Sequence, residues 1–159
     1  MMQQTIKSIR ADYATLNFVE DVMYYWSPKY REVHYVANMR SETDIWKLLH
    51  EIGHALLDHS RFKLDIELLH LEIAAWEQAK IIAQKYGVQI SEDHIQDCLD
   101  TYRDWLYRRS ICPNCMNTCT QDRASSYACF NCNNSWQVST SRTCRTYRKN
   151  QKAPILEAI

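Results

Sequence analysis

Near the N-terminus, Ile6, Ile9, Tyr13 and Leu16 recur at helical spacing, which predicts a helix from Gln3 to about Thr15. The pattern then changes. β-Branched and aromatic residues dominate between Asn17 and Tyr25 and again between Glu32 and Met39, and Ser27-Pro28-Lys29 separates the two runs, which predicts a hairpin. Ser41-Glu42-Thr43-Asp44 has the form of a helix N-cap with acidic residues in the first turn, so a helix is expected from there to about His59. A further helix is predicted over Asp65 to Tyr86, stopped by Gly87. The last one starts after Ser91 and runs to about Arg109, with Ile95, Cys98, Leu99, Tyr102, Trp105 and Leu106 on one face. Past Ile111, Cys, Asn, Ser and Thr replace the leucine-rich pattern.

These elements predict an α+β chain in which helices pack on a short antiparallel sheet over residues 1–110. A small cysteine module over 111–140 and a basic, flexible tail over 141–159 follow it. The tail carries Arg142, Arg145, Arg148, Lys149 and Lys152. The chain of 159 residues is 46% hydrophobic with a formal net charge of zero, so no global field draws it to nucleic acid or to an anionic surface. No apolar run is long enough to span a bilayer, and MMQQTIKSIR lacks the apolar stretch of a secretory signal. A cytoplasmic protein with no membrane partner is therefore expected. Only Gly53 and Gly87 occur, which rules out a glycine-rich phosphate loop.

His50-Glu51-Ile52-Gly53-His54 matches His-Glu-x-x-His. Histidines four apart on a helix present two nitrogens to one zinc ion, and the glutamate between them takes a proton from water. Projected at about 100° per residue with His50 at zero, His54 falls near 40°, Asp58 near 80° and Glu51 near 100°. Ile45, Leu48, Ile52, Ala55 and Leu56 fall on the opposite side. His59 projects among the apolar residues and reads as an ordinary core histidine, leaving His50 and His54 as ligand candidates.

A catalytic zinc takes three protein ligands and keeps one position open. The next helix offers Glu67, His70, Glu72 and Glu77. In projection Glu72 shares its face with Leu68, Leu69, Ala75, Trp76 and Ala79, whereas Glu67 and His70 lie with Gln78 and Lys85. A carboxylate directed into an apolar core needs a buried partner, which a metal ion supplies. The site read from these residues is His50, His54 and Glu72 around Zn²⁺, with Glu51 as general base. A peptide would lie along an edge of the predicted hairpin as an added strand.

The run LLHEIGHALLDH, followed by Glu72-Ile73-Ala74-Ala75-Trp76, resembles the gluzincin metallopeptidases and within them the ImmA/IrrE type. The resemblance covers roughly Asn17 to Ala83. It implies a zincin-like fold with His50, His54 and Glu72 as ligands and Glu51 as base. It further implies a protein substrate such as a transcriptional repressor, with a DNA-binding regulator as partner. Trp76 departs from the pattern, standing where the family has Asn or Asp.

Cys112-Pro113-Asn114-Cys115 and Cys129-Phe130-Asn131-Cys132 have the spacing of a zinc ribbon, a structural Zn²⁺ site closed by four thiolates. Cys119 is an alternative to Cys115, and Cys98 reads as a small core residue. Tyr127, Phe130 and Trp136 read as the module's own core, with a nucleic-acid or protein surface made by these rings and the basic tail as the alternative. Two readings stand beside the leading one. The first is a SprT-like protease acting on DNA-bound proteins with His70 as third ligand. The second is a non-catalytic ribbon that binds nucleic acid or protein.

Overall fold

The computed structural model describes residues 2–140, 142 and 144–151. It is α+β, with four helices and two small sheets. Its contacts divide into two compact units, residues 1–61 with 70–99 and residues 62–69 with 100–159. The boundary expected at residue 110 falls inside the second unit.

The first unit opens with α1 (Met2–Asp12), which buries Ile6 and Ile9. Strands β1 (Asn17–Glu20), β2 (Tyr25–Ser27) and β3 (Glu32–Tyr35) follow. The predicted hairpin is correct only in part. β2 pairs antiparallel with β3, but β1 runs parallel to β3 on its other side, so the sheet is mixed, in the order β1-β3-β2. The first run does not form one strand because Asp21 breaks it. The Asp21 carboxylate accepts its neighbour's backbone N–H at Val22 (2.6 Å), while its own N–H donates to Tyr35 O (2.8 Å).

Helix α2 (Glu42–Leu56) starts where the cap predicts. Ser41 is extended, and Asp44 Oδ2 accepts from the backbone N–H groups of Ser41 (3.0 Å) and Arg40 (2.9 Å). The helix ends before His59, because Asp58 adopts a left-handed conformation (φ 51°) and turns the chain away. Ile45, Leu48, Leu49 and Ile52 are buried, whereas Leu56, expected on the apolar face, is exposed. Helix α3 (Asp65–Lys85) contributes Ala75, Trp76, Ala79, Ile82 and Ala83 to this core. Gly87 terminates it with φ 63°, and the N–H groups of Val88 and Gly87 close on Ala83 O and Gln84 O, a Schellman motif. Ile95 and Leu99 of α4 (Glu92–Ser110) complete the first core.

In the second unit, β4 (Gln121–Arg123), β5 (Ser126–Ala128), β6 (Ser135–Val138) and β7 (Arg148–Asn150) form an antiparallel sheet in chain order. β7 lies in the segment expected to be a flexible tail. Its backbone completes the free edge of β6, and Gln151 N–H donates to Ser135 O (2.8 Å). Ser141, Thr143 and residues 152–159 of that tail, Lys152 among them, lie outside the described residues. Tyr127 and Trp136 are buried and stacked, as expected of a module core, but Phe130 is 78% exposed. No described helix is long and apolar enough to cross a membrane.

Candidate metal centres

His50 and His54 lie one turn apart on α2, and Glu72 faces them from α3. His50 Nε2 is 3.1 Å from His54 Nε2 and 3.1 Å from Glu72 Oε2, and His54 Nε2 is 3.5 Å from Glu72 Oε1. The two imidazole nitrogens thus lie side by side, each facing one oxygen of the Glu72 carboxylate. An ion bound tetrahedrally by N and O at about 2.0–2.2 Å spaces its ligands about 3.3–3.6 Å apart, so the donor set suits a zinc-sized cation. All three side chains are buried, so the polar stripe projected opposite the core is itself covered. Burial pushes the Glu72 carboxyl up, but hydrogen bonds and charge from His50 and His54 outweigh it and hold the group at about 2.

Gly53 makes this geometry attainable. A Cβ built there would stand 2.5 Å from the backbone oxygen of Ala75, so α2 and α3 approach where only hydrogen fits. Glu72 lies one turn before Ala75 and is carried to the histidines by that contact. Glu51, next to His50 on α2, is not one of the three, and its Oε2 accepts the backbone N–H of Trp26 on edge strand β2 at 2.7 Å. Burial raises its pKa, against the opposing pull of the imidazoles of His50 and His54.

Two further residues shape the site. His59, projected as a core histidine, lies beyond the helix end, and its Nδ1 is 2.9 Å from His54 Nδ1. Its backbone oxygen accepts the indole N–H of Trp26 (2.7 Å), which fixes the loop. No projection along α2 could place His59, because the chain has left the helix by then. Trp76 lies over His50, with ring centroids 4.2 Å apart, and meets the His94 ring edge-on at 5.7 Å. His50 Nδ1 is buried and has no hydrogen-bond partner among the described residues. His70 is exposed and belongs to no ligand group. Tyr25 and His34 are both bound to Asp21, and Tyr35 to Glu20.

The second cluster comprises Cys112, Cys115, Cys129 and Cys132. Its two turns are built alike. Cys112 N–H donates to Asn117 O and Cys129 N–H to Asn134 O, each at 2.8 Å, and Met116 and Asn133 take left-handed backbone at equivalent places. Sγ atoms from opposite turns approach to 3.6 Å (Cys112 and Cys132) and 3.5 Å (Cys115 and Cys129). A tetrahedral ion with metal–sulfur bonds of about 2.3 Å needs sulfurs about 3.8 Å apart, so this group also fits a metal. The backbone N–H of Asn117 and the side chain of Asn131 lower the Cys115 thiol to about 6. Cys119 is buried beside the cluster, with its thiol on Asn117 O (3.3 Å), and is not one of the four. Cys98 is half-buried, 3.7 Å from His94 Nε2.

Behind the cysteines lies a polar network that sequence reasoning missed. The buried guanidinium of Arg109 holds the buried Asp65 carboxylate through Nε (2.5 Å) and Nη2 (3.1 Å), and its Nη1 donates to Ser139 O. Tyr127 Oη donates to Asp65 Oδ2 (2.7 Å), Asp65 N–H to Gln121 Oε1 (2.6 Å), and Trp136 Nε1 to Arg109 O (3.0 Å). Nothing local in the sequence marks Asp65 and Arg109 as partners, since each looks like a charge suited to its helix end.

No protein-family model, curated protein or solved structure matches the chain.

Proposed function

We propose that the chain is a zinc metallopeptidase of the ImmA/IrrE type, with a zincin-like first unit and a zinc-ribbon second unit. The observation that carries the reading is the buried group of His50 Nε2, His54 Nε2 and Glu72 carboxylate, with separations of 3.1–3.5 Å, beside a glutamate that is not part of it. A purely structural site has no use for Glu51. A zinc ion held there supplies Lewis acidity toward a carbonyl and makes a nearby water more acidic. His50, His54 and Glu72 bring two neutral donors and one negative charge. Holding zinc through Nε2, His54 would keep its proton on Nδ1, and His59 Nδ1, 2.9 Å away, would accept it and so orient the ring.

Glu51 takes a proton from the attacking water at a carboxylate oxygen and returns it to the leaving amine. The pKa raised by burial suits it to both steps. Its contact with Trp26 N–H brings it against an edge strand, where a peptide can add as a further strand. Cys112, Cys115, Cys129 and Cys132 hold the structural zinc and do no chemistry. The proposed substrate is a protein, with a transcriptional repressor and a DNA-binding partner implied only by the resemblance.

The test is zinc content per chain by elemental analysis, with hydrolysis of an unstructured protein followed in parallel. Wild type should carry two zinc ions. Glu72→Ala and Cys112→Ser should each remove a different one, and Glu51→Gln should keep both while abolishing cleavage. A wild type that carries a single zinc, kept by Glu72→Ala and lost with Cys112→Ser, would overturn the reading.

A further inference from the structure

The second unit carries a positive excess that the neutral total conceals. Residues 62–69 and 100–159 hold ten Lys and Arg against six Asp and Glu, whereas the first unit holds nine against thirteen. The excess is concentrated. A cleft of about 520 Å³ is lined by Arg108 from the last turn of α4 and by Arg142 and Arg145, together with Thr101, Asp104 and Trp105. Arg142 stacks its guanidinium 3.8 Å from the Tyr102 ring centroid and donates to Thr101 Oγ1 (3.2 Å). Arg108 Nε donates to the backbone oxygen of Asp104 (3.2 Å).

Among the described residues none of these three arginines forms an ion pair, although Arg103 on the same helix does so with Asp100 at 2.7 Å. The Asp104 carboxylate is the one acidic group on the cleft wall. Strand β7 adds Arg148 and Lys149, exposed on a sheet edge. Three like charges gathered beside a single carboxylate repel one another, and a bound polyanion relieves that cost.

The exposed rings distinguish among polyanions. Tyr107 (57% exposed) precedes Arg108, and Tyr147 (55%) lies between the cleft residue Thr146 and Arg148. Aromatic faces alternating with arginines are stacking platforms for unpaired bases beside phosphate contacts. Stacking on unpaired bases uses the ring faces together with the arginines of the cleft, whereas an anionic bilayer draws on basic and aromatic side chains over a broad surface. We propose that this face binds single-stranded nucleic acid, with Arg108, Arg142 and Arg145 on phosphates and Tyr107 and Tyr147 against bases. The proposal is independent of the hydrolytic reading and holds equally for Glu51→Gln.

The test is fluorescence anisotropy of the full chain with a labelled oligothymidylate about 20 nucleotides long, titrated between about 50 and 200 mM salt. Three phosphate contacts predict a log–log salt slope of about −2. Arg142→Ala/Arg145→Ala should weaken binding at least about tenfold at the lowest salt and flatten the slope by about 1.4. Tyr107→Ala/Tyr147→Ala should weaken binding with the slope unchanged, and Arg103→Ala should change neither. Zinc content verifies that each variant is folded, and if the double arginine variant loses zinc, Arg145→Glu on the exposed chain takes its place with the same expected direction. No binding by wild type, equal or tighter binding to duplex or to phosphatidylserine vesicles, or a slope unchanged by the arginine variants would each overturn the proposal.

Discussion

Gly53→Ala sets two effects of opposite sign against each other. Replacing glycine by alanine inside a helix stabilises an isolated helix by about 1 kcal/mol. In this protein the new Cβ would stand 2.5 Å from Ala75 O, whereas ordinary contact begins at 3.4 Å, so α2 and α3 must separate by about 0.9 Å. Overpacking of that kind costs about 1–3 kcal/mol, which cancels or exceeds the propensity gain. Glu72 rides on α3, so the same displacement opens a donor set whose separations are 3.1–3.5 Å. Metal sites tolerate about 0.2 Å in bond length, so zinc affinity should fall by at least about 10–100-fold. Competition with a chromophoric chelator measures the affinity, and urea unfolding of the metal-free protein measures the stability. Gly87→Ala is the control: it places alanine at φ 63° with nothing within 4 Å, costing about 1–2 kcal/mol without touching zinc. A Gly53→Ala protein more stable than wild type by about 1 kcal/mol, with unchanged zinc affinity, would refute the close helix contact and its role in the site.

Asp65→Ala should destabilise the second unit by about 3–5 kcal/mol, because it leaves the Arg109 guanidinium buried without its partner. Asp65→Leu/Arg109→Met should cost less than Asp65→Ala alone; urea unfolding of the three proteins decides, and a cost below about 1 kcal/mol for the single change would count against the pair. In metal-free protein, Glu72 at about 2 against an ordinary 4.5 contributes about 3 kcal/mol that is fully present above pH 4.5 and lost as pH falls toward 2. The stability difference between wild type and Glu72→Gln, followed by urea unfolding in chelator, should therefore close over that window, and a difference independent of pH would contradict the imidazole–carboxylate contacts.

The parts of the structure that sequence could reveal are those in which partners are tied by helical period. His50, His54 and Glu51 share α2, and Glu72 was separated from His70 and Glu67 by projection because α3 is unbroken across all of them. His59 was misplaced because the projection continued past Asp58, where the backbone turns left-handed. The parallel pairing of β1 with β3 depends on Asp21 bonding to its neighbour, which carries no hydrophobic signature. Arg148–Asn150 looked like tail because an exposed edge strand of charged residues has no apolar alternation to detect. Asp65 and Arg109 are 44 residues apart, and a buried ion pair at that separation has no local pattern in sequence.

The Asp65 network also bears on how such a chain can be recombined. A cassette holding only the four cysteines, cut at residue 110, would take Tyr127 and Gln121 away from the aspartate they bond and leave Trp136 without the Arg109 oxygen. Two distant stretches of coding sequence must travel together for those bonds to survive. Transplantation of the cysteine segment into a new host strips it of its polar anchor. The cysteine segment is thereby tied to the helices that precede it, and substitutions at Asp65 and Arg109 should be tolerated only as a pair.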